Sequence, residues 1–225
     1  MPQNNKTHHT MNIYNVIILD ESGSMSSIYD ATIRSMNEVL GGIRMDQEEH
    51  PEQHHYVTIV TFEGNGISGI KMRRDRVPIE SVGDFTERDY RPGGCTPLYD
   101  AIGKTLNGIE CLVREDDRVM ATVITDGFEN SSAEYSGSTV KNMVDRLRGK
   151  GWVLAYIGAN QDAIEVARDL HIDNALNYDA TPTGTAVMAC KIKKAHRKVS
   201  AVFSIMGTDA LKAYDALFDD EEEKK

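Results

Sequence analysis

The chain has 225 residues, 40% of them hydrophobic and 27% charged, which is enough apolar content for one sizeable core, with no run long enough to span a membrane. Its 25 Lys and Arg stand against 35 Asp and Glu, a formal charge of −10 that argues against nucleic acid as a partner. The polar start MPQNNKTHHT lacks the apolar core of a signal peptide, and Cys95, Cys111 and Cys190 lack metal-ligand spacing, which suits a reducing, cytoplasmic compartment.

Residues 1–12 are expected to be disordered, residues 13–218 to form one domain, and 219–225 to be a charged tail. YNVIIL (Tyr14–Leu19) reads as a strand buried on both faces. After a Ser-rich loop, Ile28, Thr32, Met36, Val39 and Ile43 form a helical stripe that Gly41-Gly42 is expected to end. EEHPEQHH reads as an exposed polar loop rather than a histidine metal site at His50, His54 and His55. YVTIVTF (Tyr56–Phe62) is the next strand, ISGIKM an antiparallel edge partner, and residues 73–95 an irregular, charged stretch.

Pro97 then opens a helix carrying Leu98, Ile102, Leu106, Ile109 and Val113 on one side. VMATVIT (Val119–Thr125) and WVLAYIG are buried strands, with a helix at Val140–Leu147 between them, ended by Gly149 and Gly151. Ile164, Ala167 and Leu170 mark a further helix, ALNY (Ala175–Tyr178) a short last strand, and Thr185–Ile205 a long last helix. Its basic run, Lys191–Lys198, reads as a solvated helix face rather than a docking site. Strands alternating with helices predict an α/β fold: a doubly wound, mostly parallel sheet with helices on both faces. In such sheets ligands sit beyond the carboxyl ends of the strands, where strand order reverses.

Three segments end on that rim. ILDESGSMS leaves the first strand with oxygen side chains at Asp20, Ser22 and Ser24; PGGCTP presents Thr96; VITDG presents Asp126. Five oxygens without nitrogen or thiolate suit Mg²⁺, with Mn²⁺ as the alternative ion. Each residue also has a local explanation: Thr96-Pro97 as a helix cap, Asp126-Gly127 as a turn, Ser24 or Ser26 as a cap. All five on one rim favour the joint reading.

D-x-S-x-S after the first strand, Thr in a Gly-rich loop before a helix, and Asp-Gly after a central strand together resemble the von Willebrand factor type A domain. The resemblance runs from Tyr14 to the helix near Ile205. It implies a Rossmann-like sheet and a metal-ion-dependent adhesion site at Asp20, Ser22, Ser24, Thr96 and Asp126. It also implies Mg²⁺ there, and a partner protein whose Asp or Glu completes the coordination. Some bacterial relatives act beside a separately encoded ATPase, which makes such an ATPase a second partner class. The family also implies that the last helix shifts when the metal gains its partner ligand. The chemistry agrees with this reading: neutral hydroxyls withdraw little of the ion's charge, so it attracts a further carboxylate. Glu21, between the ligands, is expected to point away from the ion, and residues 73–94 to contribute to the partner surface.

Two other classes stand beside this one. A Mg²⁺-dependent phosphoester hydrolase on a Rossmann-like rim calls for a second acid where Ser22 stands, and no nucleophile or general base is evident. A nucleic-acid-associated scaffold would rest on Lys191–Lys198 alone. AIGKTL lacks the first glycine of a phosphate-binding loop and lies in a helical pattern. The chain therefore reads as a non-enzymatic, metal-dependent binding module.

Overall fold

The computed structural model describes residues 11–64, 66–159, 163–204 and 217–218. The expected tail at 219–225, and all of the expected N-terminal segment except its last two residues, lie outside them. Six strands form one sheet: β1 (Met11–Asp20), β2 (Gln53–Phe62), β3 (Ile70–Pro78), β4 (Arg118–Thr125), β5 (Val153–Ala159) and β6 (Asn174–Tyr178). Their spatial order is β3-β2-β1-β4-β5-β6, with every pair parallel except β2–β3. Among the described residues five α-helices accompany them, the first four between strands and the fifth after β6: α1 (Tyr29–Glu49), α2 (Leu98–Glu110), α3 (Gly137–Arg148), α4 (Ala163–Asp169) and α5 (Pro182–Ser204).

The sheet is apolar on both faces because helices cover both. Ile17 and Leu19 face one way, into a core built with Met36, Leu40 and Ile43 of α1 and Met188 and Ile192 of α5. Val16 and Ile18 face the other way, onto Leu98, Ile102 and Leu106 of α2 and Val140 and Val144 of α3. This is the α/β, doubly wound, mostly parallel sheet expected from the sequence, with the antiparallel strand at one edge. The chain leaves β1 to one side for β2 and later returns on its other side as β4, so strand order reverses at the β1/β4 crevice.

Several boundaries differ from expectation, each for a tertiary reason. β1 begins at Met11, whose neighbour across the ladder is Gln53, so the last two residues of the expected N-terminal segment are strand. Gly41-Gly42 does not end α1, which runs on to Glu49. A Cβ on Gly42 would sit 2.8 Å from Lys193 Cγ, so this glycine serves the close approach of α5. Gly103 in α2 does the same for the Tyr135 ring, which would lie 2.1 Å from an added Cβ. The irregular stretch begins later than residue 73, because β3 continues to Pro78 as a charged edge strand. Helix α2 starts at Leu98, one residue after Pro97. In α4, Ala167 and, just past the helix end, Leu170 are buried as expected, but Ala163 faces the core in place of Ile164, which is 57% exposed.

The histidine segment is a loop only at residues 50–52. Gln53–His55 opens β2, and His55 is buried in a polar network across the lower end of the sheet. Its Nδ1 lies 3.3 Å from Asn15 Nδ2 and its Nε2 lies 3.0 Å from Gln53 Oε1. Asn15 Oδ1 meets His196 Nδ1 of α5 at 3.1 Å, and Gln53 donates to the Ser200 carbonyl at 2.7 Å. Burial lowers His55 to about 4 and His196 to about 3, so both rings are neutral at neutral pH. Elsewhere Lys194 and Arg197 are exposed, whereas His196 inside the basic run is core. Among the described residues no helix is long and apolar enough to cross a membrane.

Candidate metal site at the β1/β4 rim

Register places the two acids side by side. Leu19 pairs with Ile124, so Asp20, the last residue of β1, adjoins Thr125, the last of β4, and Asp126 follows immediately. Asp20 is held at both oxygens: Ser22 N–H donates to Oδ1 at 2.7 Å, and Thr125 Oγ1 donates to Oδ2 at 2.6 Å. Ser22 Oγ lies 3.1 Å from Ser24 Oγ, and Ser24 Oγ donates to Asp126 Oδ1 at 2.5 Å. Ser22 is the cap residue, and Ser24 lies in the first turn, of a 3₁₀ helix at Gly23–Ile28 that is separated from the strand by two residues. Of the two predicted serine caps, neither forms, since α1 has no side-chain cap bond.

Thr96 comes from the third segment and completes the group. A Cβ built on Gly127 would meet Thr96 Oγ1 at 3.2 Å, Ser24 Oγ at 3.7 Å and Asp20 Oδ2 at 3.8 Å. Three of the five expected oxygens thus surround the empty face of Gly127, and the other two adjoin them through the Ser22–Ser24 and Ser24–Asp126 contacts. All five positions named from the sequence converge here. Thr96 does not cap α2; Pro97 occupies the cap position, without a side-chain bond. The helix amides are taken from elsewhere: Glu129 Oε2 accepts from Tyr99 N–H at 2.9 Å and Ser132 Oγ accepts from Asp100 N–H at 3.0 Å. Thr96 N–H is bonded to Asn130 Oδ1 at 2.8 Å, which ties its backbone to the loop after Asp126.

Electrostatics set the character of the site. Asp20 is 0% and Asp126 6% exposed, and among the described residues no cationic side chain pairs with either. Burial, outweighing the hydrogen bonds from Thr125 and Ser22, raises Asp20 to about 6; burial raises Asp126 as well. Two carboxylates short of compensating charge, beside three hydroxyls, make a pocket of hard oxygen donors. Among the described residues no group of three or more His, Cys, Asp or Glu side chains gathers; the rim brings together two carboxylates and three hydroxyls.

Glu21 lies apart from this group. It is fully buried, accepts from Arg73 Nη2 at 3.0 and 2.9 Å and from Arg91 N–H at 2.5 Å, and has Lys71 Nζ at 3.6 Å. Its charge is therefore compensated from β3, away from the five oxygens, as expected.

The supporting residues were not legible beforehand. Asp100, on α2, accepts the amides of Ala133, Glu134 and Tyr135 at 2.8, 2.9 and 2.7 Å, folding the 126–135 loop over the helix. Tyr90 donates its hydroxyl to the Asp20 carbonyl at 2.9 Å. Thr125, Glu129 and Asn130 complete the frame. A Ser/Asn/Glu-rich stretch after a strand hinted at loop bonding, but nothing local says which amides it serves.

No family model and no curated protein matches the chain. Solved structures do. The SpaC pilus adhesin of Lactobacillus rhamnosus GG aligns over 82% of this chain and 30% of its own, with TM-score 0.60 and 13% identity. Proximal thread matrix protein 1 of the mussel byssus, whose structure has a zinc-occupied MIDAS motif, aligns over 84% of this chain and 46% of its own, with TM-score 0.57 and 14% identity. A von Willebrand factor type A protein from Catenulispora acidiphila gives TM-score 0.58 at 11% identity, over 84% of this chain and 43% of its own. This chain thus spans less than half the length of each of these three. At such identities the likeness is one of fold.

Proposed function

We propose, for a chain that has the von Willebrand factor type A fold, a metal-dependent protein-binding module whose metal site is the β1/β4 rim. The observation that carries the proposal is the pair of buried carboxylates, Asp20 and Asp126, without a cationic partner among the described residues and beside three hydroxyls around Gly127. Asp20, Ser22, Ser24, Thr96 and Asp126 would hold Mg²⁺, or Mn²⁺ in its place. The ion, when bound, supplies the positive charge that the two acids lack. Three of its ligands are neutral, so it retains attraction for an acidic side chain of a partner protein.

The zinc-occupied MIDAS motif of the mussel protein and the adhesin among the structural neighbours support this reading by analogy of fold. The three cysteines are free and exposed, in keeping with a reducing cytoplasm. A separately encoded ATPase remains a partner class to test by co-purification. The reading assigns no chemical step to the site, since Ser22 stands where a second catalytic acid would be needed.

Calorimetric titration of Mg²⁺ and Mn²⁺ into the wild type, Asp20→Ala and Thr96→Ala tests the proposal. Saturable one-to-one binding in the wild type, lost in both variants, is the expected result. Absence of binding in the wild type, also with excess acetate or glutamate present to complete the coordination, would overturn it. Phosphoester turnover that depends on Asp20 would move the protein to the hydrolase class.

A further inference from the structure

Beside the rim, the segment after β3 opens a cleft of about 610 Å³ lined by Tyr29, Thr86, Glu87, Arg88 and Arg91. Its position is tied to the metal site by three contacts. Arg91 N–H donates to Glu21, the residue after Asp20. Gly23 N–H donates to the Gly94 carbonyl at 3.2 Å. Tyr29 stacks on Tyr90 at 5.9 Å between ring centroids, and Tyr90 in turn bonds the Asp20 carbonyl.

The cations of this region divide into two kinds. Arg73 and Arg74 are consumed by Glu21 and Asp89. Arg88 and Arg91 are exposed, and neither forms an ion pair with another described residue. The single acid in the lining, Glu87, leaves the cleft with a net positive charge. That sign is opposite to the chain's overall −10. Guanidinium groups present planar pairs of donors that match a carboxylate, and their weak hydration lowers the cost of taking one up.

We infer that this cleft is a second anchoring point for the partner: a protein segment rich in Asp or Glu that places one carboxylate at the metal and a further one against Arg88 and Arg91. This rests on the binding reading above and narrows it, because a lone acidic side chain would use only the metal. Tyr29 supplies an apolar wall along which the intervening chain can lie. Because the positive cleft lies to one side of the rim, it gives the bound segment a direction as well as affinity.

The test uses the full chain, with fluorescence anisotropy of labelled hexaglutamate and of a labelled Gly/Ser peptide carrying one Glu, each in Mg²⁺ and in EDTA. The wild type is expected to prefer hexaglutamate by about tenfold in Mg²⁺, the combined effect of two partly exposed arginine pairs. In Arg88→Gln/Arg91→Gln the preference should fall to about twofold or less, with the Mg²⁺ titration unchanged. Both substitutions are of exposed side chains, and the Arg91 backbone bond to Glu21 survives. A variant that keeps the wild-type preference overturns the inference. If Mg²⁺ makes no difference but the double variant still loses hexaglutamate, the cleft stands and the metal reading fails instead.

Discussion

Glu129 caps a helix to which it does not belong: its Oε2 accepts the Tyr99 N–H of α2 at 2.9 Å. Its other oxygen, Oε1, accepts from Ser131 and Ser132 N–H at 2.8 and 2.7 Å, closing the loop after Asp126 on itself. One side chain therefore joins the segment that carries Thr96 to the segment that carries Asp126. Glu129→Ala removes four acceptor contacts, these three and the Ser132 hydroxyl that donates to Oε2 at 2.7 Å, and should cost about 1–3 kcal/mol in urea denaturation. It should also weaken Mg²⁺ binding, although Glu129 touches none of the five oxygens, while Glu129→Gln should recover part of both losses. An alanine variant with wild-type stability and affinity would show that the clamp is idle.

Gly127 should be intolerant of a side chain for a reason unrelated to backbone conformation. An added methyl at 3.2 Å from Thr96 Oγ1 occupies the space the oxygens face, and its contacts are tight rather than forbidden. Gly127→Ala should therefore fold with a melting temperature near wild type yet bind Mg²⁺ about 10–100-fold more weakly, a loss typical of disturbed ligand geometry. Calorimetry paired with thermal melting separates the two effects. Equal affinity in the variant would mean the ion sits elsewhere.

Arg73 and Glu21 form a pair whose acid is completely buried. Removing the arginine alone leaves that carboxylate with Lys71 at 3.6 Å and the Arg91 amide. Arg73→Ala is expected to cost about 3 kcal/mol, the lower end for breaking a buried pair, because those two contacts remain. Glu21→Gln should likewise lower stability but leave Mg²⁺ binding intact. Loss of the metal in Glu21→Gln would place Glu21 among the ligands.

Asp46 makes stability depend on pH. It is 4% exposed on α1, its Oδ2 lacks a hydrogen-bond partner, and burial, then Glu49, raises it to about 7 against a smaller opposing effect of Arg197. From the ordinary carboxylate range up to about pH 7 the folded state holds a proton that the unfolded state has released, so this group's contribution falls as pH rises through that window. Asp46→Asn removes the ionisation, and its stability gain over wild type should grow from pH 4 to 7 and then level off at about 4 kcal/mol. Denaturation curves at pH 5 and pH 8 decide it: a pH-independent difference would show that Asp46 is not held protonated by the fold.

The fold and the five rim residues were readable because both are carried by short-range pattern. A six-residue run apolar but for Asn15 is legible as a strand buried on both faces, and a strand end followed by alternating oxygens is legible as a rim. Parallel connectivity then brings Asp20 and Asp126 together across 106 positions, since β1 and β4 are neighbours at the reversal of strand order. The misreadings share a cause. Gly41-Gly42 looked like a helix end, yet the space left by Gly42 is filled by Lys193. The histidine-rich stretch looked solvated, yet His55 finds Asn15 and, through it, His196 from the far end of the chain.

Thr96-Pro97 shows where the boundary lies. By itself it is a good helix cap, and only its company with Asp20, Ser22, Ser24 and Asp126 made the sequence favour the rim. In the structure Glu129 and Ser132, more than thirty residues later, take the Tyr99 and Asp100 amides of the helix, while Asn130 holds the amide of Thr96 itself. The sequence by itself determined which residue types could meet at the strand ends, because side-chain periodicity is a property of neighbours in the chain. Only the tertiary structure decided which of those hydroxyls and carboxylates remain available to a ligand, because that depends on which distant donors and acceptors satisfy one another first.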